Sequence, residues 1–292
     1  MATRNLIVSG LLGAALCLAV PADAFAQGKS GNSRMYNTVK KKLAEGKQVF
    51  GGTVSSPDEE AYCAMANSGF DFLWIEMQHS SLTYSEVANM LRACPGSDAI
   101  PFIRIPDATE GDIQKATDIG ALGIIIPMVD DVQKVKNAVT FAHFPPLGKR
   151  SQGGGQYRQL WGDDYRATAN DNIMIVAMIE SPAGAAIADE IASVPGVDVV
   201  FAASTDLSSF SGWKQGEPKY EAMVKEIHDK VLKAGKVLAG PMAWRDREGY
   251  KFFQSPGTSA VIRAGAKAML SGQASEGPRR GVAATEGSEP KK

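Results

Sequence analysis

Short, almost wholly apolar runs recur along this chain, separated by segments of helical period, and no other feature narrows the fold so far. The runs are "QVFGGTV" (48–54), "FDFLWIE" (70–76), "IPFIRIP" (100–106), "LGIIIPMV" (122–129), "IMIVAMIE" (173–180), "VDVVFAA" (197–203), "KVLAGPM" (236–242) and the weakest, "GYKFFQ" (249–254). Between them lie amphipathic stretches such as "SEVANMLRAC", "DVQKVKNAVTFA" and "YEAMVKEIHDKVLKAG". Near-continuous Val, Ile, Leu and Phe marks strands buried on both faces, and strand–helix alternation marks a parallel sheet. Eight such units predict an α/β fold, a (β/α)8 TIM barrel, with a doubly wound open sheet as the alternative. "GGTVSS" after the first run is a poor match to Gly-x-Gly-x-x-Gly, which weakens the dinucleotide-binding alternative.

The barrel is expected over residues 27–272. Ahead of it, Arg4, the apolar run from Leu6 to Val20 and "AFA" before Gln27 form a secretory signal pattern over residues 1–26, with cleavage near Ala26. That run is too short for a mature membrane span, and the expected location is periplasmic or secreted. Residues 273–292 are polar and rich in Gly, Ser and Pro, as in a disordered tail. The segment 144–172 is too long for an ordinary connection and is expected to be functional or locally ordered. With 31 basic and 32 acidic residues, nothing in the charge balance invites nucleic acid or an anionic membrane. Cys63 and Cys94, both on predicted helices, read as small buried hydrophobes, although export would permit a disulfide.

In a barrel of this kind chemistry sits where the strands end, and that is where the apolar runs are interrupted by charge. Strand two ends in Glu76 and leads to Gln78 and His79; strand three ends in Arg104; strand five ends in Glu180; strand six leads into "STDLS" with Asp206. Two carboxylates on successive strands repel unless a cation joins them, and oxygen ligands suit Mg2+, Mn2+ or a similar ion. The plainer possibility is that each caps the helix that follows. Arg104 suits a carboxylate or enolate oxygen, or an ion pair with a neighbouring strand end such as Glu76. His79 is a candidate general base, since histidine ordinarily titrates near 6.5. Asp118, one unit on in "KATDIGA", is a candidate to orient that imidazole or else part of a solvated helix face. His228 is expected to be exposed, and His143 carries no assignment.

"FDFLWIEMQHS", "PFIRIP", "DIGALGIIIPMVDD", "FPPLGKRS", "MIES" and "TDLS" together resemble the HpcH/HpaI family of class II, metal-dependent 2-keto-3-deoxy acid aldolases, over roughly residues 45 to 270. The resemblance implies that Glu180 and Asp206 bind a divalent metal, that Arg104 steadies a pyruvate enolate, and that His79 and Asp118 form a proton-handling pair. It implies substrate contacts from Ala203, Ser204 and Thr205, with Arg150 a lesser candidate, and an oligomer, a hexamer in which the last helix is exchanged between subunits. Gln78, Met178 and the Ala203-Ser204 pair depart from the family's usual residues around the substrate. The implied reaction is cleavage of a 2-oxo-4-hydroxy acid to a pyruvate-type enolate and an aldehyde. A different lyase or decarboxylase acting on an aromatic or less polar compound, and an exported protein that binds a small acid without turnover, are the alternatives.

Overall fold

The computed structural model describes residues 33–273, so the expected signal segment and polar tail lie outside the described residues. Strands β1 (Val49–Val54), β2 (Phe72–Glu76), β3 (Ile100–Arg104), β4 (Gly123–Ile126), β5 (Met174–Ile179), β6 (Val199–Ala202), β7 (Val237–Pro241) and β8 (Tyr250–Gly257) pair in parallel and in chain order. β8 pairs with β1 and closes the barrel. Each apolar run of the sequence supplies one strand, and the weakest becomes the longest, because β8 must span the register shift at Gly51/Thr53 where the barrel seals.

The connections are helices α1 (Thr38–Ala44), α2 (Glu59–Ala66), α3 (Tyr84–Ala93), α4 (Glu110–Asp118), α5 (Val132–Ala142), α6 (Tyr157–Trp161), α7 (Tyr165–Asn172), α8 (Pro182–Ala186), α9 (Ala188–Ser193), α10 (Ser204–Ser211), α11 (Pro218–Lys233) and α12 (Thr258–Leu270). Their starts are written in the sequence. Thr83 and Glu86 form a reciprocal capping box on α3, and the Thr109 and Asp58 side chains accept from the first-turn amides of α4 and α2. The long segment 144–172 is locally ordered as α6 and α7. It ties down the segment ahead of α1: the Tyr36 and Asn37 amides both donate to Asn172 Oδ1, at 2.8 and 2.9 Å. None of the helices among the described residues is long and apolar enough to cross a membrane.

Inside the barrel the rings of Phe72, Phe102 and Phe252 form one layer, with Phe72 centred 4.9 Å from Phe102 and 4.3 Å from Phe252. Gly51 and Gly123 make room for them. A Cβ at Gly51 would lie 2.1 Å from the Phe72 ring, and one at Gly123 would lie 1.8 Å from the Phe102 ring. Above this floor Trp74 packs on Phe201 at 5.2 Å. Side chains alternate in and out with period two along a strand, so the next inward positions are Glu76 after Trp74, Arg104 after Phe102, Ala203 after Phe201 and Gln254 after Phe252. The floor therefore predicts its own test. Gly123→Ala should cost about 1–3 kcal/mol through overpacking, a fall of roughly 3–10 °C in Tm for a chain this long. Adding Phe102→Leu should lose less than the sum of the two single changes, as read by thermal unfolding.

Candidate active site

Arg104 lies at the centre of the rim. Its Nη2 donates to Glu180 Oε1 at 2.7 Å and its Nη1 to Glu76 Oε2 at 3.3 Å, with all three side chains buried and Glu180 only 1% exposed. Arg104, the last residue of β3, is a candidate enolate partner by the family resemblance, and it also forms the ion pair with Glu76 that was its plainer alternative. Glu76 is fully engaged: Oε2 also accepts from Trp74 Nε1 at 3.1 Å, and Oε1 accepts from the Gln78 and His79 amides at 2.9 and 3.1 Å. Glu180 receives in addition the Met128 amide. That donor is aimed inward because Met128, following Pro127 at the end of β4, sits at φ +50°, a left-handed conformation uncommon outside glycine.

Asp206, in the first turn of α10, faces the same small cavity as Arg104, Met178, Ser204 and Thr205, of about 110 Å³. No hydrogen bond to its carboxylate occurs among the described residues. Burial pushes the Glu180 carboxyl above its ordinary range; Arg104 and the Met128 amide pull it back, Asp206 raises it again, and His79 lowers it. Three carboxylates, Glu76, Glu180 and Asp206, therefore face one guanidinium, an excess of two negative charges in a partly water-excluded rim. A divalent cation meets that demand, and the free carboxylate of Asp206 beside Glu180 is a fitting hard-oxygen donor set. No group of three or more His, Cys, Asp or Glu that could enclose a metal occurs among the described residues, so water or substrate oxygens would complete the shell. His79 stands exposed just beyond, close enough for its charge to be felt at Glu180.

Two residues expected in this group are elsewhere. Asp118 closes α4, at the end of the barrel where strands begin, and its carboxylate is taken by Arg150 Nη2 at 2.8 Å and Gln114 Nε2 at 2.7 Å. A His79–Asp118 pair is not formed within the chain. Arg150 does not line the rim cavity either: it is buried against the rings of Phe144, Tyr157 and Tyr165 and donates to the Tyr165 hydroxyl at 2.9 Å. His143 is also buried away from the rim, its Nδ1 at 2.8 Å from the Val139 carbonyl, and burial lowers its pKa. His228 is half-buried beside Asp229 and Tyr250 rather than free in solvent. Cys63 and Cys94 are free and only partly buried. One rim residue escaped the sequence reading, Gln254, which closes the apolar run of β8 as Glu76 closes that of β2 and lines the cavity. The signal was the same in kind but sat on the weakest strand.

A closed parallel (β/α)8 barrel with buried charge gathered at the carboxyl ends of its strands is the architecture of a TIM-barrel enzyme. The chain matches the HpcH/HpaI aldolase/citrate lyase family over residues 54–243, well over half its length, and belongs to that family. It is similar to the 2-keto-3-deoxy-L-rhamnonate aldolase of Salmonella gallinarum, 31% identical over 210 residues that cover 70% of this chain and 79% of that one. Among solved structures, the citrate synthase SbnG is 28% identical with a TM-score of 0.69, over 80% of this chain and 96% of that one. An HpcH/HpaI aldolase/citrate lyase family protein from Burkholderia cenocepacia is 25% identical with a TM-score of 0.72, over 82% and 100%. The chain is an enzyme of the lyase class.

The Arg150 cluster generates a prediction about stability. Arg150→Met leaves the Asp118 carboxylate and the Tyr165 hydroxyl without their cation, at a cost of roughly 3 kcal/mol. Denaturant unfolding should show the midpoint falling with the slope unchanged.

Proposed function

We propose that this protein is a metal-dependent carbon–carbon lyase that cleaves a 2-oxo-4-hydroxy acid to the enolate of pyruvate and an aldehyde, and joins them in reverse. The observation that supports it most is the excess of negative charge around Arg104 at the mouth of a cavity sized for a three-carbon acid. Glu180 and Asp206 would hold a divalent ion such as Mg2+ or Mn2+, which when bound supplies Lewis-acid polarisation of the 2-oxo group.

The chain's own groups supply the rest. Arg104 keeps one buried donor, Nε, without a partner, and lines the cavity; a guanidinium there stabilises the oxygen on which negative charge develops as the C3–C4 bond breaks. The start of α10 has no side-chain cap, so the backbone N–H groups of its first turn, at Ser204 and Thr205, are available to a substrate carboxylate beside Ala203. His79, exposed at the rim, takes the proton from the C4 hydroxyl and so drives the electron pair of C3–C4 onto the enolate. Protonation at C3 then gives pyruvate.

Helix α12 supports a homo-oligomer. None of its residues is buried, and Ile262 and Leu270 are 63% and 90% exposed, as on a helix that packs against another copy; a hexamer is the form the family resemblance implies. In such an assembly any His79–Asp118 pair joins two copies. We also assign the protein to an exported, periplasmic or secreted location, on the signal pattern of residues 1–26.

Deuterium exchange into the methyl group of pyruvate, followed by proton NMR, tests the chemistry. Exchange should require Mn2+ or Mg2+, stop with EDTA, and vanish in Glu180→Ala; Arg104→Met should slow it by about 10²–10³-fold. A folded wild-type protein that exchanges nothing with any metal overturns the reading. Light scattering on Ile262→Glu with Leu270→Glu should show smaller particles than wild type. For export, amino-terminal sequencing of the mature protein should begin at Gln27.

A further inference from the structure

The inner cavity that holds Arg104 and Asp206 does not end at its own wall. Pro241 and Gln254, paired in register across β7 and β8, line it and also line a second chamber of about 360 Å³ on the far side. The inner volume, about 110 Å³, lies well below the roughly 300 Å³ at which sites for drug-sized ligands begin. It accommodates the three carbons of a pyruvate unit and little more, and the larger space next to it lies past Gln254 and Pro241. The lining of the outer chamber includes Thr53, Met242, Ala243 and Ser255 and, among the described residues, not one Asp, Glu, Lys or Arg. The hydroxyls there are already committed: Thr53 Oγ1 donates to the Ser255 carbonyl at 2.7 Å, and Ser255 Oγ to the Pro256 carbonyl at 3.1 Å. The Gln254 carboxamide, by contrast, makes no hydrogen bond among the described residues, and offers one acceptor and two donors at the junction. Arg104, the one cation among the described residues that line either chamber, is turned to Glu76 and Glu180.

We propose that this outer chamber is the aldehyde subsite, that Gln254 sets its specificity, and that it takes a short, uncharged aldehyde carrying at most a hydroxyl group, in preference to an anionic one. The proposal rests on the lyase reading above and names the half of the substrate that reading leaves open. In the joining direction a proton leaves pyruvate C3, the freed electron pair forms the bond to the aldehyde carbon, and the proton is returned to the aldehyde oxygen, which becomes the C4 hydroxyl. Atoms and charge balance with no further reactant. A hydroxyl on the aldehyde can both donate to and accept from the Gln254 amide, whereas a terminal carboxylate in the chamber would meet no cation on the residues that line it.

The test couples pyruvate to glycolaldehyde and to succinic semialdehyde, one neutral and one anionic, in the metal-loaded wild-type protein. The expected ratio of kcat/KM favours the neutral aldehyde by about tenfold or more. Gln254→Arg should lower that ratio at least about tenfold by supplying the missing cation. Ala243→Arg, on an exposed turn of the same chamber, should lower it too should the first variant not fold. A ratio within one protein is independent of how much of it is active. A wild type that prefers the anionic aldehyde, or ratios that neither arginine moves, overturns the proposal. Pyruvate deuterium exchange in the same wild-type preparation separates the two claims. Exchange with the wrong aldehyde preference removes the subsite alone, and no exchange removes the lyase reading and the subsite with it.

Discussion

A guanidinium held between two buried carboxylates is the interaction from which the site follows. Arg104 has left water for Glu180 and Glu76, and such an exchange holds only when the remaining lone pairs and protons are also met. The structure supplies those partners from several directions: the indole of Trp74, the amides of Gln78 and His79, and the Met128 amide delivered by a left-handed residue after Pro127. Asp206 then adds a negative charge that Arg104 cannot also satisfy. Burial raises the Glu180 pKa, and the neighbouring Asp206 adds to the rise.

The opposite end of the barrel carries stability. There Asn37 and Asn172 tie the segment ahead of α1 to the connection before β5, and Arg150 is pinned among the rings of Phe144, Tyr157 and Tyr165 and the carboxylate of Asp118. The Arg150 guanidinium there is met by Asp118 and Tyr165, apart from one donor, Nε. The contrast between a satisfied base and an unsatisfied rim is the usual division in (β/α)8 barrels.

The eight strands were legible because burial on both faces forces continuous apolar runs, and the rim residues were legible as the places where those runs stop at charge. Glu76, Arg104, Glu180 and Asp206 all show that signal. Gln254 shows it too, but "GYKFFQ" is short and half-polar, and a neutral amide is a quieter interruption than a carboxylate. The Met128 donor is a backbone group, which no side-chain pattern reveals. Asp118 was offered from its place one strand–helix unit on, with a helix face as its alternative, and Arg150 by the family resemblance. A residue in the last turn of a helix belongs to the base, and within the chain the partner of Asp118 there is Arg150. Cys63 and Cys94 sit at the α2–α3 contact, too shallow for the buried role their type suggested.

Phe72, Phe102 and Phe252, seated on Gly51 and Gly123, plug the middle of the barrel. Their rings are wholly buried and leave no room for so much as a Cβ at either glycine. Whatever enters the rim cavity therefore comes and goes on the side where the strands end. Three rings that carry no charge thus decide from which side the charged residues are reached.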